Sequence, residues 1–177
     1  MTQESTPPST ASAGTQRWVV MGVCGCGKST VGAALAQRFG VPFIEGDKFH
    51  PAENVTKMSA GYPLDDNDRA GWLRALANEI GNARERGEGL VVSCSALKRR
   101  YRDLLRQADP GLRFAHLHGP RELIADRLGK RTDHYMPPAL LDSQLRDLEP
   151  LQDDEGGVRL DIASPPAQLV ERIAGIG

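Results

Sequence analysis

Apolar positions along the chain fall into short continuous runs that alternate with stretches of helical spacing. The run RWVVMG (17–22) is β-branched and ends in glycine, the pattern of a strand buried on both faces. From Lys28 to Phe39, Val31, Leu35 and Phe39 recur at helical spacing, and Gly40 supplies a stop. VPFIEG (41–46) repeats the strand signal. Residues 51–60 and 66–86 read as helices, the second with an apolar stripe of Trp72, Leu73, Leu76 and Ile80. GLVVSC (89–94), FAHLHG (114–119) and VRLDIA (158–163) predict three further strands, with helices at Leu97–Ala108, Glu122–Lys130 and Ala167–Ile173. Strands alternating with helices predict parallel β-α units, hence an α/β fold whose parallel sheet is covered on both faces. There is no internal repeat. Residues 130–157 break the rhythm with Thr-Asp-His-Tyr-Met-Pro-Pro and an acidic patch, and predict a mobile flap. Residues 1–16 are nearly all Ser, Thr, Pro, Ala, Gly and Gln and predict a disordered tail, with one domain over 17–177.

The decisive motif is GVCGCGKS at 22–29, a match to G-x-x-x-x-G-K-[ST] that leaves a predicted strand and opens a predicted helix. Gly22, Gly25 and Gly27 allow the backbone to turn successive N–H groups inward around phosphate oxygens, with Val23, Cys24 and Cys26 between them. The helix beginning near Lys28 adds the positive end of its dipole. Lys28 is placed to reach the β- and γ-phosphates, Ser29 to bind Mg²⁺, and Thr30 completes the nucleotide-binding stretch. The expected ligand is a nucleoside triphosphate with Mg²⁺.

Composition narrows the class. The 177 residues carry 22 Lys+Arg and 23 Asp+Glu, a net charge of −1, which gives no reason to expect nucleic-acid binding by bulk charge. No apolar run approaches the length of about 18 residues that would span a membrane. The N-terminal segment has no apolar core and does not read as a secretory signal. Three cysteines cannot close a disulfide framework, so a reduced, cytoplasmic compartment is expected. Cys24 and Cys26 read either as a redox or metal pair or as two small side chains in variable loop positions, the latter preferred. The charge is uneven: Lys98–Arg131 holds ten Lys and Arg against four acids.

A phosphate loop alone does not choose among kinase, GTPase and ATPase. An N-K-x-D guanine motif is absent, and the third strand ends in Ser93-Cys94-Ser95 without the Asp of motor ATPases. The second strand ends in GDKFHP (46–51), which sets Asp47 at the carboxyl edge of the sheet, facing the phosphate loop. There it can accept the proton of an attacking hydroxyl or hold Mg²⁺ through water, or cap the helix that follows. His50 is either a hydrogen-bonding partner of a polar substrate or a surface residue before proline.

GVCGCGKST, GDKFHP with ENVTKMSAGYPLDDNDRAGWL, SCSALKRRYRDLLR and RLGKRTDHYMP together resemble, in that order, the small P-loop gluconokinases of bacteria and eukaryotes. The resemblance runs from about Val19 to Leu148. It implies a three-layer P-loop NTPase-type fold with a five-stranded parallel sheet in the order 2-3-1-4-5 and a lid. It also implies ATP-dependent phosphorylation of D-gluconate at its 6-hydroxyl, and a homodimer by analogy. The rivals are a kinase for another small hydroxy acid such as shikimate, and an ATP-binding regulator without catalysis. Gluconate needs cations for its carboxylate. Arg69 and Lys98 are candidates, and the family pattern adds Arg102 and His134. A basic run at a helix start (Lys98, Arg99, Arg100, Arg102) opposes the dipole and so favours an anionic partner. In this fold a lid brings arginines onto the transferred phosphoryl, a role for Arg127 and Arg131, with adenine near Arg127 and the loop after Asp161. The chain departs from the family at Cys24 and Cys26, where serines are usual, and in the Thr-Asp before His134.

Overall fold

A computed structural model describes residues 13–131 and 137–176. The central strand β1 (Arg17–Met21) lies between β3 (Leu90–Ser93) and β4 (Arg113–His118). β2 (Phe43–Glu45) pairs with β3, and β5 (Gly157–Asp161) with β4. The sheet is wholly parallel, in the order β2-β3-β1-β4-β5, as the resemblance implies. Alternation along β1 divides the core. Trp18 and Val20 face one side, Val19 and Met21 the other, and all four are fully buried. The first side packs on α1 (Lys28–Phe39), α5 (Arg121–Gly129), α6 (Pro138–Asp147) and α7 (Pro166–Ala174). The second packs on α3 (Asp66–Glu85) and α4 (Arg99–Ala108), where the predicted stripe Trp72, Leu73, Leu76 and Ile80 is buried. The short α2 (Ala52–Ser59) follows a 3₁₀ turn at Gly46–Phe49. No helix among the described residues is long and apolar enough to cross a membrane.

Two expectations are revised. The stretch 130–157 is not irregular throughout, because it contains α6. Pro137-Pro138 reads as a breaker, yet proline fits the first turn of a helix, where its missing N–H costs nothing. Leu140, Leu141, Leu145 and Leu148 then follow at helical spacing, the first two buried. Beyond α6, the Glu149 N–H donates to the Leu97 carbonyl at 2.7 Å, so residues 138–155 are packed on the body. At the other end, part of the expected tail is ordered: the Gly14 and Gln16 carbonyls accept from the Gly89 and Leu90 N–H groups at 2.8 and 3.0 Å.

The basic run on α4 is mostly spent inside the molecule. Arg102 has no exposed surface and donates to Glu155 through Nε and Nη2 at 2.7 and 2.9 Å, with Nη1 on the Ala96 carbonyl at 2.8 Å. Arg106 adds a second cation to Glu155, and Arg99 pairs with Asp154. Burial disfavours the Glu155 charge, but these hydrogen bonds prevail and hold its pKa at about 2. The substrate role expected of Arg102 therefore does not fit: its donors are taken up in pinning the chain after α6 to α4.

His116 in β4 is buried, its Nδ1 accepting from the Leu151 N–H at 3.4 Å and its Nε2 without a partner among the described residues. Burial, with His118 and Arg102 nearby, lowers its pKa to about 4. The folded state then binds fewer protons than the unfolded state, so stability is full above pH 6.5 and falls as the pH drops toward 4. Urea unfolding of His116→Gln should lose this slope, which is at most about 1.4 kcal/mol per pH unit. An unchanged slope between pH 6.5 and pH 5 would discount His116. For the buried pair, Glu155→Gln leaves Arg102 uncompensated and should cost about 3–5 kcal/mol in the same measurement.

Candidate active site

Chemistry-bearing residues collect at the carboxyl ends of β1, β2 and β3. The loop after β1 turns through Gly22, Gly25 and Gly27, all at positive φ (144°, 81° and 94°). A side chain at Gly22 would also strike the Leu117 carbonyl at 2.6 Å. The loop is held by neighbours on both flanks. The Cys24 N–H donates to Gln144 Oε1 of α6 at 2.7 Å, and Leu128 of α5 fills the space beside Gly25. Lys28 Nζ donates to the Val23 carbonyl at 2.9 Å. Burial works against the Lys28 charge, but the negative charges facing it, those of the loop cysteines once ionised and of the Asp47 carboxylate, outweigh it, and its pKa is raised.

β2 contributes a carboxylate that the sequence reading passed over. Ser29 Oγ donates to Glu45 Oε1, and Ser93 Oγ reaches the same oxygen at 3.4 Å. The available signal was the spacing Glu-x-Asp at 45–47, two carboxylates leaving one strand end. Between them Gly46 is obligatory: a Cβ there would lie 2.0 Å from the Ser93 carbonyl. Trp72 Nε1 donates to the Gly46 carbonyl at 2.8 Å, so the buried Trp72 belongs to the core and also fixes the turn that carries Asp47. The Ser29 hydroxyl and the Glu45 carboxylate that meet here are hard oxygen donors, of the kind that fits Mg²⁺.

His50 stacks on Trp72, with ring centroids 4.1 Å apart. Its Nδ1 accepts from the Asn54 amide at 3.2 Å, which leaves the proton on Nε2. Burial lowers its pKa, so the ring is neutral at pH 7 and Nε2 is a donor. The surface alternative for His50 is thereby set aside.

Two depressions flank this edge. One is lined by Gly25, Cys26, Gly27, Thr30, Val31, Arg127, Arg131, Ile162, Ser164, Pro166 and Leu169. It joins the phosphate loop to the segment after Asp161, and Arg127 Nη2 donates to the Ile162 carbonyl there at 2.8 Å. The other is lined by Pro63, Leu64, Asp65, Asp66, Arg69, Lys98, Ser143, Arg146 and Asp147. Here the buried Arg69 meets Tyr101 Oη at 3.0 Å and Asp147 at 3.3 Å. Lys98 meets Asp66 at 3.2 Å, and Asp66 also accepts from Tyr101 and Arg100. The Tyr101 hydroxyl is the leading reason that Asp66 ionises at about 2. The fold thus brings together Lys28, Ser29, Asp47, His50, Arg69 and Lys98, and places Arg127 and Arg131 by the other depression. Arg102 is not among them, and His134 lies outside the described residues.

Comparisons with known proteins identify the family. A family model described as shikimate kinase matches residues 24–155. The gluconokinase of Gluconobacter oxydans (strain 621H) is 46% identical over 155 residues, covering 88% of this chain and 87% of that protein. The chain belongs to the gluconokinase family. The thermosensitive gluconokinase of Escherichia coli (strain K12) is 40% identical over 89% of the chain and 84% of its own length. A crystal structure of a gluconokinase from Sinorhizobium meliloti 1021 superposes with a TM-score of 0.84 at 48% identity, covering 92% and 91% of the two chains. Shikimate kinase from Acinetobacter baumannii, 18% identical with a TM-score of 0.59 over 91% of this chain and 92% of its own, shares the fold. The protein is accordingly a phosphotransferase that takes ATP as donor and a small molecule as acceptor.

The loop cysteines differ from redox thiols. Burial pushes Cys24 up to about 11 against the pull of Lys28, Cys94 to about 12, and Cys26 upward as well. Iodoacetamide at pH 7 should leave all three unmodified in the folded kinase and label all three in urea, as read by mass spectrometry. Rapid labelling of Cys24 in the folded protein would contradict this assignment.

Proposed function

We propose that this kinase transfers the γ-phosphoryl group of ATP to the 6-hydroxyl of D-gluconate, giving 6-phosphogluconate and ADP. The observation that supports the reading most is the turn at the end of β2 that carries Asp47, held by Trp72, which donates to the Gly46 carbonyl at 2.8 Å and stacks with His50. Asp47 follows Gly46, whose N–H donates to Ser93 Oγ at 3.2 Å, and that hydroxyl reaches the Glu45 oxygen that accepts from Ser29 at the end of the phosphate loop. A carboxylate on this turn suits a reaction between a donor phosphate and an acid acceptor.

In this mechanism the phosphate-loop N–H groups and Lys28 hold the β- and γ-phosphates. Arg69 and Lys98 take the gluconate carboxylate, Arg69 through a planar fork suited to it. The His50 Nε2–H donates to an acceptor hydroxyl. Asp47 orients the 6-hydroxyl and receives its proton as the new O–P bond forms and the bond to the β-phosphate oxygen breaks. Lys28, Arg127 and Arg131 offset charge on the transferred group and on ADP. Ser29, with Glu45 and Asp47, would hold Mg²⁺, which supplies Lewis-acid neutralisation of the phosphate oxygens when bound. Arg127, Thr30 and the segment after Asp161 would receive the nucleoside. The three free cysteines fit a reducing cytoplasm.

Coupled ADP-release assays across gluconate, shikimate and other sugar acids test the acceptor: gluconate should give the highest kcat/KM, and faster turnover of another acid would replace it. Asp47→Ala should lower kcat by roughly 10²–10⁴-fold, the range for a lost general base, with binding of ATP nearly intact. Turnover like that of the wild type would remove Asp47 from the chemistry.

A further inference from the structure

Helix α6 touches both halves of the crevice. Gln144 accepts the Cys24 N–H of the phosphate loop at 2.7 Å, and Asp147 meets Arg69 at 3.3 Å. Residues three apart are neighbours on one helix face, so a single element contacts the donor loop and the acceptor pocket. Leu141, Leu145 and Leu148 pack this helix on the core, so its two polar contacts move together.

The contact to Arg69 is loose. The Arg69 side chain is 7% exposed, and its hydrogen bonds among the described residues use Nη1 alone. A paired guanidinium and carboxylate ordinarily meet at about 2.7–2.9 Å, often through two parallel bonds. Asp147 makes one contact of 3.3 Å, from a side chain that is 32% exposed. The other carboxylate nearby, Asp66, is engaged by Tyr101, Lys98 and Arg100. Arg69 is therefore a buried cation whose own counter-charge can be exchanged for a better one. The contact to the loop has a different consequence. An N–H that donates to Gln144 is not available to a phosphate oxygen.

We propose that Asp147 is a resident stand-in for the acceptor's carboxylate, and that α6 couples its displacement from Arg69 to release of the Cys24 N–H by Gln144. Acid binding then completes the phosphate cradle, and by reciprocity nucleotide binding tightens the acid site. Gln144 and Asp147 are positioning residues, and the inference rests on Arg69 holding the acceptor's carboxylate.

Calorimetric titration of the full chain with a non-hydrolysable ATP analogue and Mg²⁺, with and without saturating gluconate, reads this coupling. Gluconate should tighten analogue binding to the wild type by about fivefold or more. Gln144→Met, which keeps the shape and lacks the acceptor, should bind the analogue more tightly without gluconate and lose the gluconate effect. Weaker analogue binding, or an undiminished gluconate effect, overturns the proposal; Gln144→Ala gives the same comparison should the Met variant fail to fold. Asp147→Asn should tighten gluconate binding by about three- to tenfold, and unchanged or weaker binding overturns the stand-in role. Arg69→Lys separates the two layers. Gluconate affinity insensitive to Arg69→Lys defeats the acceptor assignment itself, whereas a large loss there beside an inert Asp147→Asn defeats the stand-in alone.

Discussion

Burial of β1 on both faces is the constraint from which the rest of the architecture follows. Trp18 to Met21 are sealed between two helical layers and between two parallel neighbours, so the strand has no freedom to slide or tilt. A one-residue slip would exchange the two core faces and separate Trp18 from Val20's partners. The phosphate loop begins where this strand stops, and its position is therefore as fixed as the core. Parallel pairing then brings the ends of β2 and β3 to the same edge, which is why Glu45, Asp47 and Ser93 converge on a loop distant in sequence.

The edge is held by close backbone contacts more than by charge. Gly46 can approach Ser93 only because it has no side chain, and Trp72 locks the turn from beneath. The turn that carries Asp47 is thus held by packing at Gly46. Charge is distributed differently on the two sides of α4. Arg102 and Arg106 are neutralised inward by Glu155, while Lys98, at the helix start, lines the depression that holds Arg69. The basic excess in Lys98–Arg131 is therefore largely taken up in ion pairs within the molecule.

Elements whose burial is periodic were legible in the chain. α1 begins and ends where Lys28 and Phe39 mark it, and the buried stripe of α3 matches its spacing. α6 was hidden because paired prolines signal a break, although they also open helices. Within the site, Lys28, Ser29 and Asp47 stood out because loop chemistry is local in sequence. Glu45 did not, since its importance comes from a contact between the end of β2 and Ser29 at the start of α1. Arg102 misled for the opposite reason: a cation at a helix start invites an anion, and the anion turned out to be Glu155, 53 residues away.

By itself, the sequence determined the α/β class, the nucleotide loop and the family, because apolar periodicity, glycine torsions and short motifs are properties of neighbouring residues. The tertiary structure alone decided which cations face the crevice and which are buried in ion pairs. It also decided that His50 is a neutral donor and that α6 joins the loop to Arg69. Those outcomes depend on desolvation and on partners supplied by distant segments, quantities that exist only once the chain has closed around them.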